Sequence, residues 1–181
     1  LRICPACQRA YARRLADRTE QLFRHTRRTL PLFITLTLRT STRPLPDSVA
    51  FLRSCFRRLR ATKEWKQRID FGIGAIEVTR GKHRDHWHVH IHIIAWGRFY
   101  PHDLLERQWR RITYGSFKVD VQRCAKPSSV RHYISDYITK PPAEAAFDDD
   151  GLADEWYKAV MRQHWVIRFG KRKLMPKAED P

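Results

Sequence analysis

The sequence predicts an α+β domain of two layers, in which helices pack on a central, mainly antiparallel sheet of about five strands. Three observations predict this fold. Several short segments alternate apolar and polar residues, as half-buried strands do, and other segments carry apolar residues three or four positions apart, as helices do. A short charged turn separates two of the predicted strands, which indicates an antiparallel hairpin.

The first third of the chain predicts a helix, a strand and a second helix. Residues 8–28 are rich in arginine and have the apolar spacing of a basic helix. Residues 32–38 alternate as a strand, in which Thr35 and Thr37 share the face opposite the leucines. After a loop with two prolines, residues 47–62 return to helical spacing.

The middle of the chain predicts the hairpin and a further helix. Residues 71–79 and 87–94 are its two strands, and a helix follows Pro101. A short strand is predicted over 117–121. Another helix is predicted over 128–140, and two prolines at positions 141 and 142 end it.

The last part of the chain gives a weaker pattern. Residues 142–154 are acidic and small, so we expect a mobile loop there. Apolar spacing resumes over 155–169, and a basic tail follows over 171–181.

The charge of the chain indicates a polyanionic partner. Its 181 residues include 36 Lys and Arg against 19 Asp and Glu, a net charge of +17. The sequence contains no run of about 18 apolar residues, which a membrane-spanning helix would need. Nucleic acid is therefore favoured over a membrane surface as the partner. We also expect a cytoplasmic protein. The outer face of helix 47–62 carries four candidate DNA-binding arginines, namely Arg53, Arg57, Arg58 and Arg60.

Three histidines at two-residue spacing form the most informative motif. In a strand, His88, His90 and His92 share one face, while the apolar residues between them share the other. A row of imidazoles is well suited to bind a cation. The alternative is an ordinary amphipathic strand whose histidines are solvated or hydrogen-bonded.

Two tyrosines and a lysine form a second cluster. Tyr133 and Tyr137 are four residues apart, so they project from one helix face, and Lys140 joins that face one turn later. A phenol needs a nearby cation or base to act as a nucleophile, and Lys140 or a metal could provide that help. The alternative is that both rings pack into the core.

The cysteines give a weaker signal. Cys4 and Cys7 form a CxxC pair, which is half of a structural zinc site or a redox pair. No second CxxC follows, so other zinc ligands would lie upstream of Leu1 or far along the chain. We expect a fragment or excised domain, because the chain opens inside a motif. Cys55 and Cys124 are expected to be buried.

The motifs together resemble those of the HUH endonucleases, and specifically of rolling-circle replication initiator proteins of bacterial plasmids. The resemblance rests on four segments in the right order. They are the cysteine segment 3–7 before an arginine-rich helix, the strand 33–38, the histidine segment 87–92 and the tyrosine segment 133–140. Val89 stands where the family often has proline, and Asp136 stands where a lysine is common.

The resemblance implies a role for each site residue. His90 and His92 match the paired metal-binding histidines, and Glu77 matches the acidic third ligand from the neighbouring strand; His88 is the alternative third ligand. Tyr137 with Lys140 matches the nucleophile and its helper. Tyr133 matches the second tyrosine of two-tyrosine members.

The resemblance also implies a fold, domains and a reaction. It implies a palm like that of RRM or ferredoxin-like domains, with a basic CxxC segment over 1–30 and a catalytic domain over 31–170. The implied enzyme nicks and rejoins single-stranded or hairpin DNA at a replication origin through a 5′-phosphotyrosine, with Mg²⁺ or Mn²⁺. A host helicase is a further candidate partner.

Three other functions stay open on the sequence. A transposase of an insertion element would use the same residues on a different DNA. A non-catalytic zinc-dependent nucleic-acid-binding domain would bind without cleaving. A metallohydrolase using bound water would cut DNA without any protein–DNA adduct.

Overall fold

The computed structural model describes residues 5–25, 30–80, 87–124, 150–161 and 165–170, together with Lys126, Ser129 and Tyr133. Five helices and five strands lie in this part of the chain. The helices are α1 (Pro5–His25), α2 (Leu45–Ala61), α3 (Lys63–Arg68), α4 (His102–Thr113) and α5 (Asp150–Met161). The strands are β1 (Leu32–Thr37), β2 (Ile69–Arg80), β3 (Trp87–Gly97), β4 (Val119–Arg123) and β5 (Val166–Gly170).

The strands form one antiparallel sheet in the order β4-β1-β3-β2-β5. The predicted hairpin is the pair β2 and β3, in which Glu77 lies opposite His90. The central strand β3 also pairs with β1, so that Thr37 lies opposite His90 and Thr35 opposite His92. The sheet thus places residues from two other segments, β1 and β2, beside the histidines of β3.

One face of the sheet carries the main core. Alternate residues of β1 and β3 point to this face, and helices α2, α4 and α5 cover it with apolar side chains such as Leu52, Trp109 and Trp156. Leu32, Ile34 and Ile91 are completely buried there. Burial of this apolar area is the main contribution to the stability of the domain.

The other face is divided into an apolar end and a polar end. At the apolar end, Leu15 and Ala16 of α1 pack against Phe71, Ile94 and Trp96. The histidines occupy the rest of this face. The predicted α+β fold class is therefore confirmed, and the structure adds that α1 packs on the face opposite α2.

Two expectations for the last part of the chain need correction. The acidic segment 142–154 was expected to be a loop, but α5 already begins at Asp150. The apolar spacing over 155–169 belongs to two elements, since α5 ends at Met161 and Val166–Gly170 forms the edge strand β5. The short strand β5 is fixed by pairing with β2, and such a long-range contact leaves little trace in a local pattern.

Candidate active site

The three histidines stand side by side on the polar face of β3. The ring centroids of His88 and His90 lie 6.1 Å apart, and so do those of His90 and His92. His92 is buried and the other two are half-buried. This arrangement follows from the two-residue period of a strand, because the residues between them point into the core.

Each histidine has the hydroxyl of a threonine from β1, or from the residues that follow it, beside its ring. Thr35 Oγ1 lies 3.1 Å from His92 Nδ1, and Thr37 Oγ1 lies 3.1 Å from His90 Nδ1. In the same way Thr40 Oγ1 lies 3.2 Å from both ring nitrogens of His88. A hydroxyl can donate or accept, so it can hold the ring in either tautomer. We call these three pairs the Thr–His row.

The carboxylate of Glu77 lies at the other side of the His92 ring. Glu77 Oε2 is 2.7 Å from His92 Nε2, and only 9% of the Glu77 residue surface is exposed. Glu77 lies opposite His90 in the strand register, so it reaches diagonally to His92. A carboxylate in so buried a position needs a polar or charged partner, and His92 is one.

Tyr133 contacts the same histidine from the side of the threonine. Its ring stacks on Phe33 with centroids 4.3 Å apart, and its hydroxyl lies 3.3 Å from His92 Nδ1. The hydroxyl also lies 3.4 Å from the carbonyl oxygen of Ile34 and 3.5 Å from Thr35 Oγ1. Tyr133 and Glu77 therefore hold different nitrogens of one ring.

The donor chemistry of this face fits a divalent cation. Imidazole and carboxylate groups are ordinary ligands of such ions, and a hydroxyl on Nδ1 leaves Nε2 for the metal. In the described part of the chain, however, no three His, Cys, Asp or Glu side chains are gathered closely enough to hold an ion. The assembled pair is Glu77 with His92, while Nε2 of His90 lies 3.5 Å from Thr79 Oγ1.

Several predicted site residues lie outside the described residues. Tyr137 and Lys140 are among them, and so is Cys4. Cys7 belongs to α1, but its side chain is not described. The roles predicted for all four therefore stay predictions.

The other two cysteines are buried, as expected. Cys55 and Cys124 are free thiols with about 1% of their surface exposed. Burial raises the pKa of both thiols, which disfavours the reactive thiolate. A nucleophilic role for either cysteine is therefore disfavoured.

The four candidate DNA-binding arginines lie on α2, which packs against the face opposite the histidines. Arg57 and Arg58 are exposed, whereas Arg53 is half-buried. The Arg60 guanidinium lies over the rings of Phe56 and Phe169, at 4.9 and 5.5 Å from their centroids. Burial lowers the pKa of Arg60, with neighbouring arginines adding to the effect. DNA binding by these residues stays a prediction.

The sequence alone left four threonines that contact the histidines without a role. Thr35 and Thr37 were visible as the polar side of β1, but Thr40 and Thr79 carried no signal. Strand alternation shows which residues share a face, and it does not show which hydroxyl meets which imidazole. One signal in the sequence pointed to two of them: Thr35 and Thr37 share the polar side of a predicted strand, as the histidines do on theirs.

The fold and this polar face define a class: a basic α+β protein in which one sheet face carries a row of histidines with threonines and a carboxylate beside them. A model of the family described as "replication protein" matches residues 1–129, more than two thirds of the chain. The chain belongs to this family of plasmid replication initiator proteins. Family membership implies binding to DNA at a replication origin.

The family match covers one part of the candidate site. It includes the threonines, Glu77 and the histidines, and it ends before Tyr133. No curated protein and no solved structure matches the chain. Among the described helices, none combines the length and apolar character that crossing a membrane requires.

Proposed function

We propose that this replication initiator nicks one DNA strand at its origin and later rejoins it through a tyrosine. The single observation that carries the proposal is the Thr–His row with Glu77 on one polar face of the sheet. A transposase of the same chemistry is disfavoured, because the family match is to replication proteins.

The reaction is a transfer of a phosphoryl group in two steps. The Tyr137 oxygen forms a bond to phosphorus, and the bond from phosphorus to the 3′ oxygen breaks. The phenolic proton of Tyr137 is lost as this bond forms, and the 3′ oxygen takes up one proton and leaves as a hydroxyl. The protein keeps the 5′ phosphate. Attack by a 3′ hydroxyl on that phosphotyrosine then restores a phosphodiester and frees the tyrosine.

His90, His92 and Glu77 are proposed to hold Mg²⁺ or Mn²⁺. When bound, the ion would neutralise charge on the phosphate that is attacked. The Thr–His row supports this assignment, since Thr35 and Thr37 orient the two rings through Nδ1. His88 is a weaker candidate for the third ligand, because both of its nitrogens lie within 3.2 Å of Thr40.

The position of Tyr133 favours a positioning role over attack on phosphorus. Its hydroxyl lies on the Nδ1 side of His92, whereas Glu77 marks the Nε2 side where an ion would sit. The stacking on Phe33 also fixes the ring. We therefore propose Tyr137 as the nucleophile and Lys140 as its electrostatic helper, on the strength of the sequence resemblance.

A labelled library of single-stranded DNA with randomised sequence tests the nicking step. The label is placed on the 3′ end, because the fragment joined to tyrosine keeps that end. With Mn²⁺, the intact protein should give an adduct that migrates slowly on a denaturing gel. Sequencing the DNA in the adduct would then show the preferred origin site.

Three variants and a chelator decide between the mechanisms. The adduct should vanish in Tyr137→Phe and survive in Tyr133→Phe, while Tyr157→Phe on α5 is the matched control. Loss in the Tyr133 variant alone would make Tyr133 the nucleophile. Cleaved DNA without any adduct would indicate bound water as the nucleophile, and cleavage that survives EDTA would exclude the metal.

A further inference from the structure

We infer that the loop Tyr114–Lys118, which we call the aromatic loop, is a stacking platform for the bases of single-stranded DNA. It follows α4 directly and leads into β4. Two of its five residues are aromatic and largely exposed, since Tyr114 is 74% and Phe117 is 50% accessible to solvent. Neither ring belongs to the core, so both have surface that a ligand can reach.

Tyr114 is held in a backbone conformation that few large residues adopt. It caps α4 in the left-handed region with φ 58° and ψ 40°, where glycine or asparagine is favoured. A bulky side chain in this region costs free energy, and the ring regains little of it by packing. Strained residues of this kind are found preferentially at binding sites.

Hydrogen bonds hold the aromatic loop in one shape. Thr113 Oγ1 accepts the backbone N–H of Ser116 at 3.0 Å, and Gly115 N–H donates to the carbonyl of Arg110 at 2.9 Å. The buried hydroxyl of Ser116 accepts from the backbone N–H of Arg39 at 2.9 Å. A rigid loop loses little conformational entropy when it binds, which favours affinity.

Arginines accompany both rings. The Arg58 guanidinium lies over the Tyr114 ring at 5.5 Å from its centroid, and that of Arg110 lies over Phe117 at 5.3 Å. Stacking rings next to cations are the chemistry that binds single-stranded DNA, because bases stack on the rings and phosphates pair with the cations. The net charge of +17 favours the same partner.

The aromatic loop adjoins the end of the Thr–His row. The backbone N–H of Thr37 donates to the carbonyl of Lys118 at 3.1 Å, and the Thr37 hydroxyl lies 3.1 Å from His90 Nδ1. One residue therefore joins the loop to the candidate active site. The contact of Tyr114 with Arg58 puts this ring on the α2 side of the sheet. A DNA strand with a phosphate at the histidines would therefore pass around the sheet edge formed by β4 to place unpaired bases on the two rings of the aromatic loop.

The inference deepens the proposed function, because it names a binding surface for the same DNA strand. It is tested with fluorescein-labelled oligothymidylate and a duplex of equal length, each titrated in EDTA and followed by fluorescence anisotropy. Nicking plays no part under these conditions, so a failure of the nicking proposal would leave the result intact.

Alanine variants of the two rings should weaken the single-stranded complex. For Tyr114→Ala and Phe117→Ala we expect the affinity for single-stranded DNA to fall about 5- to 100-fold each, because this is the fold-change that corresponds to the loss of stacking on one base. Duplex affinity and the salt slope should not change, since stacked duplex bases are not available and no phosphate contact is removed. Tyr157→Ala, at an exposed tyrosine of α5, should bind like the intact protein.

A stability measurement separates binding from a role in the fold. Tyr114→Asn should unfold at the same temperature as the intact protein or higher, because asparagine tolerates the left-handed conformation. It should still lose single-stranded affinity. Equal losses on both DNA probes, no loss at all, or a marked fall in the unfolding temperature of Tyr114→Asn would overturn the inference.

Discussion

Strands β1 and β3 have two faces of opposite character, since one face belongs to the apolar core and the other carries the polar candidate site. On the face covered by α2, Ile34 and Ile91 are completely buried among apolar side chains. On the other face, their neighbours Thr35 and His92 form a hydrogen-bonded pair. The same two strands thus supply a core and a polar site that lie only one sheet thickness apart.

This difference shows how a small domain keeps a polar site rigid. The strands cannot shift by one residue, because such a shift would bury the histidines and expose the isoleucines. The core therefore fixes the register that brings each threonine to its histidine. Substitutions on the two faces should accordingly affect different properties, with stability lost on one side and metal binding on the other.

The largest expected effect is on the free energy of unfolding, and it distinguishes two neighbouring residues of β3, Ile91 and His90. Ile91→Ala should lower the free energy of unfolding by about 3 to 4 kcal/mol, because it leaves a cavity in the core. His90→Ala should cost about 1 to 2 kcal/mol, because it removes the polar contacts with Thr37 and Thr79 and leaves no cavity in the core. Urea unfolding measures both values, and similar losses in the two variants would contradict the division of tasks.

The second effect concerns Glu77, the proposed acidic ligand of the metal. Glu77→Gln keeps the shape and a hydrogen-bonding group but removes the charge, so Mn²⁺ affinity should fall about 100-fold. Isothermal titration calorimetry measures this affinity. His88→Ala is the comparison, and it should bind Mn²⁺ like the intact protein. The reverse outcome would make His88 the third ligand.

A smaller effect is expected from the threonines of the Thr–His row. Thr37→Val has nearly the same shape, but it removes the hydroxyl that orients His90, so Mn²⁺ affinity should fall about 10-fold. The matched control is Thr40→Val, which removes the partner of His88 and should leave the affinity unchanged. If the two variants behave alike, the threonines do not act through the metal ligands.

The smallest effect is a pH-dependent change in the free energy of unfolding, and it comes from Tyr100 in the main core. Tyr100 is completely buried, and burial raises the pKa of its phenol to about 12. Between pH 10 and 12 the unfolded chain has lost this proton while the folded chain keeps it, so stability falls as the pH rises. The loss at pH 11 should be about 1 kcal/mol.

The comparison for this prediction is Tyr100→Phe, which has no phenolic proton. Its free energy of unfolding, followed by urea titration from pH 9 to 11, should lack the part of the alkaline decline that Tyr100 causes. An identical decline in both proteins would show that Tyr100 is not the group that titrates.

Much of the site could be predicted from local patterns. The spacing of His88, His90 and His92 indicates a shared strand face, and the charged turn indicates that Glu77 lies on the paired strand. The partners of the histidines could not be predicted in the same way. Thr37 and His90 are 53 positions apart, and their contact depends on how β1 pairs with β3. The edge strand β5 was missed for a similar reason, since its pairing with β2 defines it.

By itself, the sequence determined the two-residue period of the strands that it predicted, the net charge of the chain and which residues of one strand share a face. These properties are local, because they depend on side-chain alternation and composition. Only the tertiary structure decided that Glu77 bonds diagonally to His92, that each histidine has its threonine, and that α1 covers part of the same face. The exposed rings of the aromatic loop also became visible only there. Such contacts join distant segments, and the packing of the core sets their register.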